Sequence, residues 1–172
     1  MKKLAAQTLL QGTSTYVKNN FPAINSALLT LEEAMANGQH HDAVTGTERQ
    51  IVAEDYKLYF AKGENAVKQQ FLYPLLQEKV TKDLGLKNLQ FSTCELNTSA
   101  VFCGATYNNL KNNKPILLVI NNPAQTRNST VRVKVPNGNV QATDVNGALI
   151  DTDVICSNST DTTDCDLFFK AN

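Results

Sequence analysis

The spacing of apolar residues changes near residue 85, and this change constrains the fold more than any other feature of the chain. Before residue 85, apolar side chains recur every three or four positions, as along one face of a helix. After it, segments such as "TVRVKV" alternate with period two between turn residues. The change predicts an α+β fold, with a helical domain over residues 1–84 and a β domain over residues 85–172.

The helical part is expected to form a three-helix bundle. One helix carries an apolar face made by Ala27, Leu28, Leu31, Ala34 and Met35. Thr47 and Gln50 have the spacing of a capping box, which predicts a second helix from Thr47 to near Gly63, with an apolar face made by Val52, Tyr56, Tyr59 and Phe60. A third helix is predicted over residues 65–80, where Pro74 would bend or break it. Its inward residues would be Phe71, Leu75, Leu76 and Val80.

The pattern of residues 85–172 predicts antiparallel strands. The apolar run "PILLVI" (115–120) suits a strand buried on both faces, and "TVRVKV" (130–135) would form a hairpin with "VQATDV" through "PNGN". A second Asn-Gly turn at 146–147 leads to "ALIDTDVI". The last apolar stretch, "DLFFKAN", would leave an unpaired edge, so we expect an incomplete β-sandwich cut at its C-terminus.

Charge and hydropathy exclude two classes of partner. The 172 residues include 16 basic and 16 acidic side chains scattered along the chain, without the basic patch that nucleic acid or an anionic membrane would attract. No apolar run is long enough to span a bilayer. We therefore expect a globular protein, with 42% apolar residues to fill its core, that binds neither nucleic acid nor membrane.

Cysteines and glycosylation sequons indicate an oxidising compartment. Four cysteines permit three connectivities, and the pairs near in sequence have the lowest closure entropy, which predicts Cys94–Cys103 and Cys156–Cys165 bridges. Four buried thiols are the alternative. Sequons for N-glycosylation occur at Asn97, Asn128 and Asn158, as in a lumenal or secreted glycoprotein.

The N-terminus does not resemble a secretion signal. In "MKKLAAQTLLQGTS" a short apolar patch is interrupted by Gln7 and Gln11, unlike the apolar core of a signal peptide. The segment is more typical of an amphipathic helix with Leu4, Leu9 and Leu10 on one side. We therefore expect that Met1 is not the start of the natural protein.

Both histidines of the chain stand together in "QHHDAVTGT", as His40 and His41, directly before Asp42. Such a run is either a solvated loop between helices or a metal or proton-transfer site, since imidazole binds zinc and titrates near neutral pH. Adjacent side chains project in different directions, so we do not expect both rings to bind one metal. A catalytic zinc needs about three protein ligands, and the other ligands would come from carboxylates or from polypeptide outside this chain.

The segment "QHHDAVTGTERQIVAEDY" resembles the hallmark of the class II (lysosomal and Golgi-type) α-mannosidases, zinc-dependent glycoside hydrolases with an H-H-D-A-[IV]-[ST]-G-T run. "ALLTLEEAMANGQHHDA" is similar to the helix before that run. "FSTCELNTSAVFC" and "LLVINNPAQTRNSTVRVKVP" resemble the lysosomal branch's cysteine-flanked linker and first β strands. The resemblance covers nearly the whole chain but only a middle part of the family's polypeptide, and it supports the Cys94–Cys103 pair.

The resemblance implies particular roles. His41 would be a zinc ligand, Asp42 would bind hydroxyls of the mannose that is cleaved off, and His40 would be a pocket residue. The other zinc ligands, the nucleophile and the acid/base carboxylate would lie in an α/β domain before the bundle, and further β domains would follow. No catalytic carboxylate is assigned in this chain, which alone would be inactive.

The implied reaction is retaining hydrolysis of terminal α-linked mannose from glycoprotein glycans, in the lysosome or outside the cell. Two other classes stay open. One is an independent module that binds zinc or carbohydrate, which would need more ligands than these residues provide. The other is a non-catalytic secreted glycoprotein in which the His-His-Asp run is incidental.

Overall fold

The structure is a computed structural model that describes residues 1–94, 103–118, 129–157 and 165–171. The chain divides into two compact units, Met1–Phe91 and Ser92–Asn172. The first unit is helical, whereas the second contains a three-stranded antiparallel sheet. The predicted α+β fold class is therefore confirmed. The assignment of residues 1–84 and 85–172 to separate domains, and of the second to a truncated β-sandwich, stays a prediction.

The helical unit contains α1 (Lys2–Leu10), α2 (Thr15–Gly38), α3 (His41–Thr45), α4 (Gln50–Val67) and α5 (Tyr73–Leu84). A π-helical turn, Lys68–Leu72, joins α4 to α5, and the flanking residues keep right-handed helical backbone angles. The chain therefore continues as one helical segment from residue 50 to residue 84. The predicted separation into a second and a third antiparallel helix is wrong, because the π turn lies next to Pro74 and adapts the hydrogen-bond pattern there.

The predicted limits of the second helix are also wrong. Helix α4 begins at Gln50, and its N-cap residue Arg49 makes no side-chain capping bond. The Thr47 hydroxyl instead donates a hydrogen bond to Asp42 Oδ1 (3.2 Å). The helix continues past Gly63 to Val67. Gly63 is not a helix end but a packing position, because a Cβ atom there would lie 2.8 Å from Leu31 Cα on α2.

The start of α2 is held by a carboxylate from α5. Ser14, the N-cap, accepts a hydrogen bond from the Val17 amide (3.1 Å). Glu78 accepts hydrogen bonds from the Ser14 hydroxyl, the Thr15 amide (2.8 Å) and the Tyr16 amide (3.3 Å). These contacts satisfy amides that have no partner within the helix, and they connect the start of α2 to α5.

The core of the helical unit lies between α1, α2, the end of α4 and the π turn. Its buried apolar residues are Ala5, Val17, Ile24, Ala27, Leu28, Val67 and Phe71. The predicted face of α2 is buried at Ala27, Leu28 and Ala34, whereas Met35 is 52% exposed. Helix α1 buries Ala5 and Thr8, and Leu9 packs against the same core. The predicted common face with Leu4 and Leu10 is wrong, because Leu4 is 40% and Leu10 is 86% exposed. Val52, Tyr59 and Phe60 on α4 are exposed too.

The second unit contains α6 (Gly104–Lys111) and the strands β1 (Ser129–Val135), β2 (Thr152–Cys156) and β3 (Cys165–Ala171). The strand order is β1-β3-β2, so β3 lies in the middle of this sheet. The prediction that the stretch "DLFFKAN" would leave an unpaired edge is therefore wrong. β1 pairs with β3, not with "VQATDV". A strand with alternating apolar residues can pair with any matching strand, and the pattern does not name its partner.

Three other features of the second unit bear on the predictions. Residues 115–118 form no strand, and Leu117 and Leu118 are both 43% exposed. The prediction of a buried strand over "PILLVI" is therefore wrong for these four residues. Residues 119–120 lie outside the described residues. The turn at Asn146-Gly147 is present, with φ +83° at Gly147. The Ile150 amide donates to the Ala142 carbonyl across it (3.0 Å).

Candidate functional site

The His-His-Asp segment lies between the end of α2 and the start of α4. His40 has an extended backbone (φ −54°, ψ 140°) and is the N-cap of α3, while His41 is the first residue of that short helix. Gly46 ends α3 with φ +69°, a left-handed conformation that glycine adopts without strain. The Thr47 amide donates to the Asp42 carbonyl (3.0 Å), so the segment closes into a tight turn.

The side chains of this segment converge. Asp42 Oδ2 lies 3.5 Å from His40 Nε2, and Asp42 Oδ1 lies 3.7 Å from His41 Nε2. The two imidazole rings are 4.2 Å apart between centroids. Adjacent side chains usually project in different directions, but here both rings lie beside one carboxylate, because His40 is extended and His41 is helical and the regular angular offset is lost at this junction. The expectation that the two rings do not bind one metal stays a prediction.

The donor set fits a zinc ion. One ligand atom from each of His40, His41 and Asp42 lies within 4.8 Å of the other two. Ligands about 2.0–2.2 Å from a tetrahedral zinc lie roughly 3.3–3.6 Å from one another, and imidazole and carboxylate are among its preferred ligands. Small side-chain movements would bring these three donors to that spacing. Within the described ranges, this is the group of His, Cys, Asp and Glu residues that could hold a metal.

The cluster faces solvent. The His41 side chain is 82% exposed, and those of His40 and Asp42 are each 48% exposed. An exposed group with three donors leaves room at a metal ion for further ligands or for the hydroxyl groups of a substrate. The arrangement is thus open on one side, unlike the closed ligand shell of a structural zinc site.

A shallow depression adjoins the cluster. It has a volume of 490 Å³ and is lined by Ala36, Asn37, Gln39, His40 and Tyr56. The sequence pattern assigned Tyr56 to an apolar helix face and gave no role to Asn37 or Gln39. The position of Gln39 directly before the two histidines was the available signal, but only the packing of α2 beside α4 brings Tyr56 to this place.

The other predicted site residues lie elsewhere. The structure contains disulfides between Cys94 and Cys103 and between Cys156 and Cys165, the predicted connectivity. The sequons at Asn97, Asn128 and Asn158 lie outside the described residues. Across the described parts of the chain, no helix is both long enough and apolar enough for a membrane span.

Comparison with known proteins identifies the family. The chain is 31% identical to an α-mannosidase of Canavalia ensiformis over 68% of its length. It is 34% identical to the human lysosomal α-mannosidase over 76% of its length, and 30% identical to the lysosomal α-mannosidase of Dictyostelium discoideum over 77%. By sequence, the chain belongs to the α-mannosidase family.

The match covers only a small part of the length of these α-mannosidases. The chain spans 12% of the length of the Canavalia α-mannosidase and 12% of the human one. No protein-family model matches the chain. The family resemblance that the His-His-Asp segment indicated is confirmed, whereas the roles of individual residues are not tested by it.

Proposed function

We propose that this chain is part of a retaining α-mannosidase that removes terminal α-linked mannose from glycoprotein glycans. The observation that carries the proposal is the convergence of His40, His41 and Asp42 in a chain of the α-mannosidase family. In this proposal the chain supplies metal and sugar contacts, and another part of the protein supplies the reacting carboxylates.

His41 is the proposed zinc ligand. Its ring is the most exposed of the three side chains and can therefore face a metal shared with another part of the protein. His40 would support the site from the adjoining depression. When bound, zinc would act as a Lewis acid that holds sugar hydroxyls and orients the ring.

Asp42 is the proposed sugar contact. An ionised carboxylate is a pure acceptor with two oxygens, so it can accept hydrogen bonds from two neighbouring sugar hydroxyls. The Thr47 hydroxyl donates to Oδ1 and holds the carboxylate in place. In a retaining reaction, one carboxylate attacks the anomeric carbon and a second protonates the leaving oxygen. Asp42 takes neither role; it positions the sugar for them.

The proposed location is the lysosome. Two of the relatives named above are lysosomal α-mannosidases. Disulfides persist in oxidising compartments, and both bridges of this chain fit a lumenal or secreted protein. The proposed partners are mannose-containing glycans and the remaining α-mannosidase domains.

Three variants of the full-length protein test the proposal. His41→Ala should lower zinc content and reduce hydrolysis of an aryl α-mannoside by at least about 100-fold, since a metal ligand is lost. Asp42→Asn should retain most of the zinc, because in this proposal His41 and residues outside this chain hold the metal, and it should lose turnover, because the amide replaces an acceptor by a donor. Asp55→Asn, an exposed carboxylate on α4, is the control and should change neither property. Zinc is measured by mass spectrometry of the metal.

Full zinc occupancy with normal turnover in His41→Ala would contradict the proposal. The two other classes give different results. An independent module would bind zinc stoichiometrically to residues 1–172 alone. A non-catalytic glycoprotein would bind no zinc and would hydrolyse no mannoside in its full-length form.

A further inference from the structure

The depression beside the His-His-Asp cluster has the lining of a site for a neutral, hydroxyl-rich ligand. Its walls carry two amides, one phenol and one imidazole, and Tyr56 offers half-buried ring surface. No aspartate, glutamate, lysine or arginine lines the depression. Its volume of 490 Å³ lies within the range of about 300–1,000 Å³ that is usual for small-ligand pockets.

The polar groups of this lining are available to a ligand. Within the part of the chain that the structure describes, the side-chain amides of Asn37 and Gln39 and the hydroxyl of Tyr56 make no hydrogen bond to another residue. An amide offers two donors and an acceptor, a set that can bind two neighbouring hydroxyls of a sugar. The Tyr56 ring adds an apolar surface on which the C–H face of a sugar ring can rest.

His40 connects this depression to the proposed sugar contact. The residue lines the depression, and its Nε2 atom lies 3.5 Å from Asp42 Oδ2. His40 thus lies at both places, so a ligand that extends from Asp42 past His40 would reach the depression. A depression this close to the first sugar is suited to the next sugar unit of the same glycan.

We propose that Asn37, Gln39 and Tyr56 form a subsite for a second sugar residue, next to the mannose held at Asp42. This inference rests on the proposed α-mannosidase function and extends it. The subsite makes the protein selective for mannose that is linked to another sugar, because only such a substrate reaches both Asp42 and Tyr56. Gln39 and Tyr56 are the specificity residues, because one follows the end of α2 and the other lies on α4, so that the two helices each supply a contact.

The test compares a substrate that reaches the depression with one that does not. In the full-length protein, Tyr56→Ala and Gln39→Ala should each raise KM for an α-linked mannobiose about tenfold, which corresponds to about 1.4 kcal/mol. KM for methyl α-mannoside, which has a single ring, should change less than about twofold. Tyr59→Ala is the matched control, because Tyr59 is an exposed tyrosine on the same helix that does not line the depression.

Direct binding separates this inference from the proposed function. Calorimetric titration with mannobiose and with methyl α-mannoside is carried out on the wild type and on all three variants. If the wild type hydrolyses neither substrate, the proposed function fails. In that case, loss of mannobiose binding in Tyr56→Ala and Gln39→Ala, but not in Tyr59→Ala, still supports the subsite.

The inference is overturned if the Tyr56 and Gln39 variants bind mannobiose as the wild type does. It is also overturned if Tyr56→Ala and Tyr59→Ala weaken binding equally, or if both substrates lose the same factor, since either result indicates a general structural effect. Melting temperatures of the three variants identify any loss of folding.

Discussion

Single carboxylates organise their surroundings in both units of the chain. Asp42 lies against both imidazoles and accepts a hydrogen bond from Thr47. Asp166 on β3 accepts a hydrogen bond from Arg132 (2.7 Å), and Lys134 lies 3.6 Å from the same oxygen. The first carboxylate serves the candidate site, whereas the second stabilises the sheet, so changes at each should affect different properties.

Thr47 should act as a positioning residue for Asp42. Thr47→Val removes the hydroxyl that holds Asp42 Oδ1, and we expect turnover of an α-mannoside to fall about 5–20-fold while zinc content is unchanged, since one hydrogen bond to a charged group is lost. Thr47→Ser keeps the hydroxyl and should restore most of the activity. A loss in Thr47→Ser as large as that in Thr47→Val would contradict this role, because Thr47→Ser keeps the hydroxyl that donates to Asp42.

The pair of Asp166 with Arg132 should make the second unit sensitive to acid. The hydrogen bond from Arg132 lowers the pKa of Asp166 below its usual value. A depressed pKa in the folded state stabilises the fold above the unfolded-state pKa of about 3.9, and this contribution is lost as pH falls through the folded value. Asp166→Asn should therefore lower the free energy of unfolding at pH 7 by about 0.2–1 kcal/mol.

Urea unfolding at several pH values measures this effect. The difference between the wild type and Asp166→Asn should shrink as pH falls below about 4. Asp153→Asn, at an exposed position of β2, is the control and should have a smaller effect at pH 7. A constant difference across the pH range would exclude the ion pair as the cause.

At the scale of elements, the helical unit depends on how closely α2 approaches the long segment formed by α4, the π turn and α5. Gly63 permits this approach at Leu31. The sheet depends on a different device, since Cys156 and Cys165 are directly opposite each other at the ends of β2 and β3. Cys165 is fully buried beside Val135 and Leu167, so this disulfide is also part of the core.

Gly63→Ala should destabilise the helical unit. Alanine normally favours a helix by about 0.5–1 kcal/mol over glycine, but here its Cβ would lie 2.8 Å from the Leu31 backbone, which cannot move aside easily. Overpacking of this kind costs roughly 1–3 kcal/mol, so the net effect should be a loss of stability in thermal unfolding. Gly38→Ala is the control, because the atoms that its Cβ would meet belong to the Phe60 ring, which is 39% exposed and can rotate.

Removal of the Cys156–Cys165 bridge should destabilise the sheet. The double variant Cys156→Ser/Cys165→Ser should lose roughly 2–3 kcal/mol in the chain-entropy model, and more where the buried Cys165 position becomes polar. Cys156→Ala/Cys165→Ala separates the loss of the crosslink from the burial of a polar group.

Peptide mapping without reduction should recover both predicted disulfide pairs, Cys94–Cys103 and Cys156–Cys165. A linkage between residues 94 and 156 would contradict this connectivity.

At the scale of the whole molecule, the chain corresponds to a small part of an α-mannosidase. It spans 12% of the Canavalia relative, and we place the reacting carboxylates of the proposed enzyme outside these residues. Residues 1–172 alone should therefore release no mannose from an aryl α-mannoside, with the full-length protein as the positive control. Robust hydrolysis by the chain alone would show that its own carboxylates carry out the reaction.

Features that depend on neighbouring residues could be predicted from the amino-acid sequence. Apolar spacing determined that helices precede strands, and the run from Gln39 to Thr47 identified the family and its candidate ligands. The short separation within each cysteine pair predicted the disulfides that the structure contains. These features depend on local periodicity, local loop closure and a contiguous motif, all of which are readable without knowledge of distant contacts.

Contacts between distant elements could not be predicted from the sequence and are known from the three-dimensional structure. The central position of β3 and the depression between Gln39 and Tyr56 depend on contacts between residues far apart in the chain. The continuous helix over residues 50–84 and the convergence of His40 and His41 depend on backbone angles at single junctions. Periodicity describes regular elements, and it contains no information on the junctions or on the choice between partners of similar pattern.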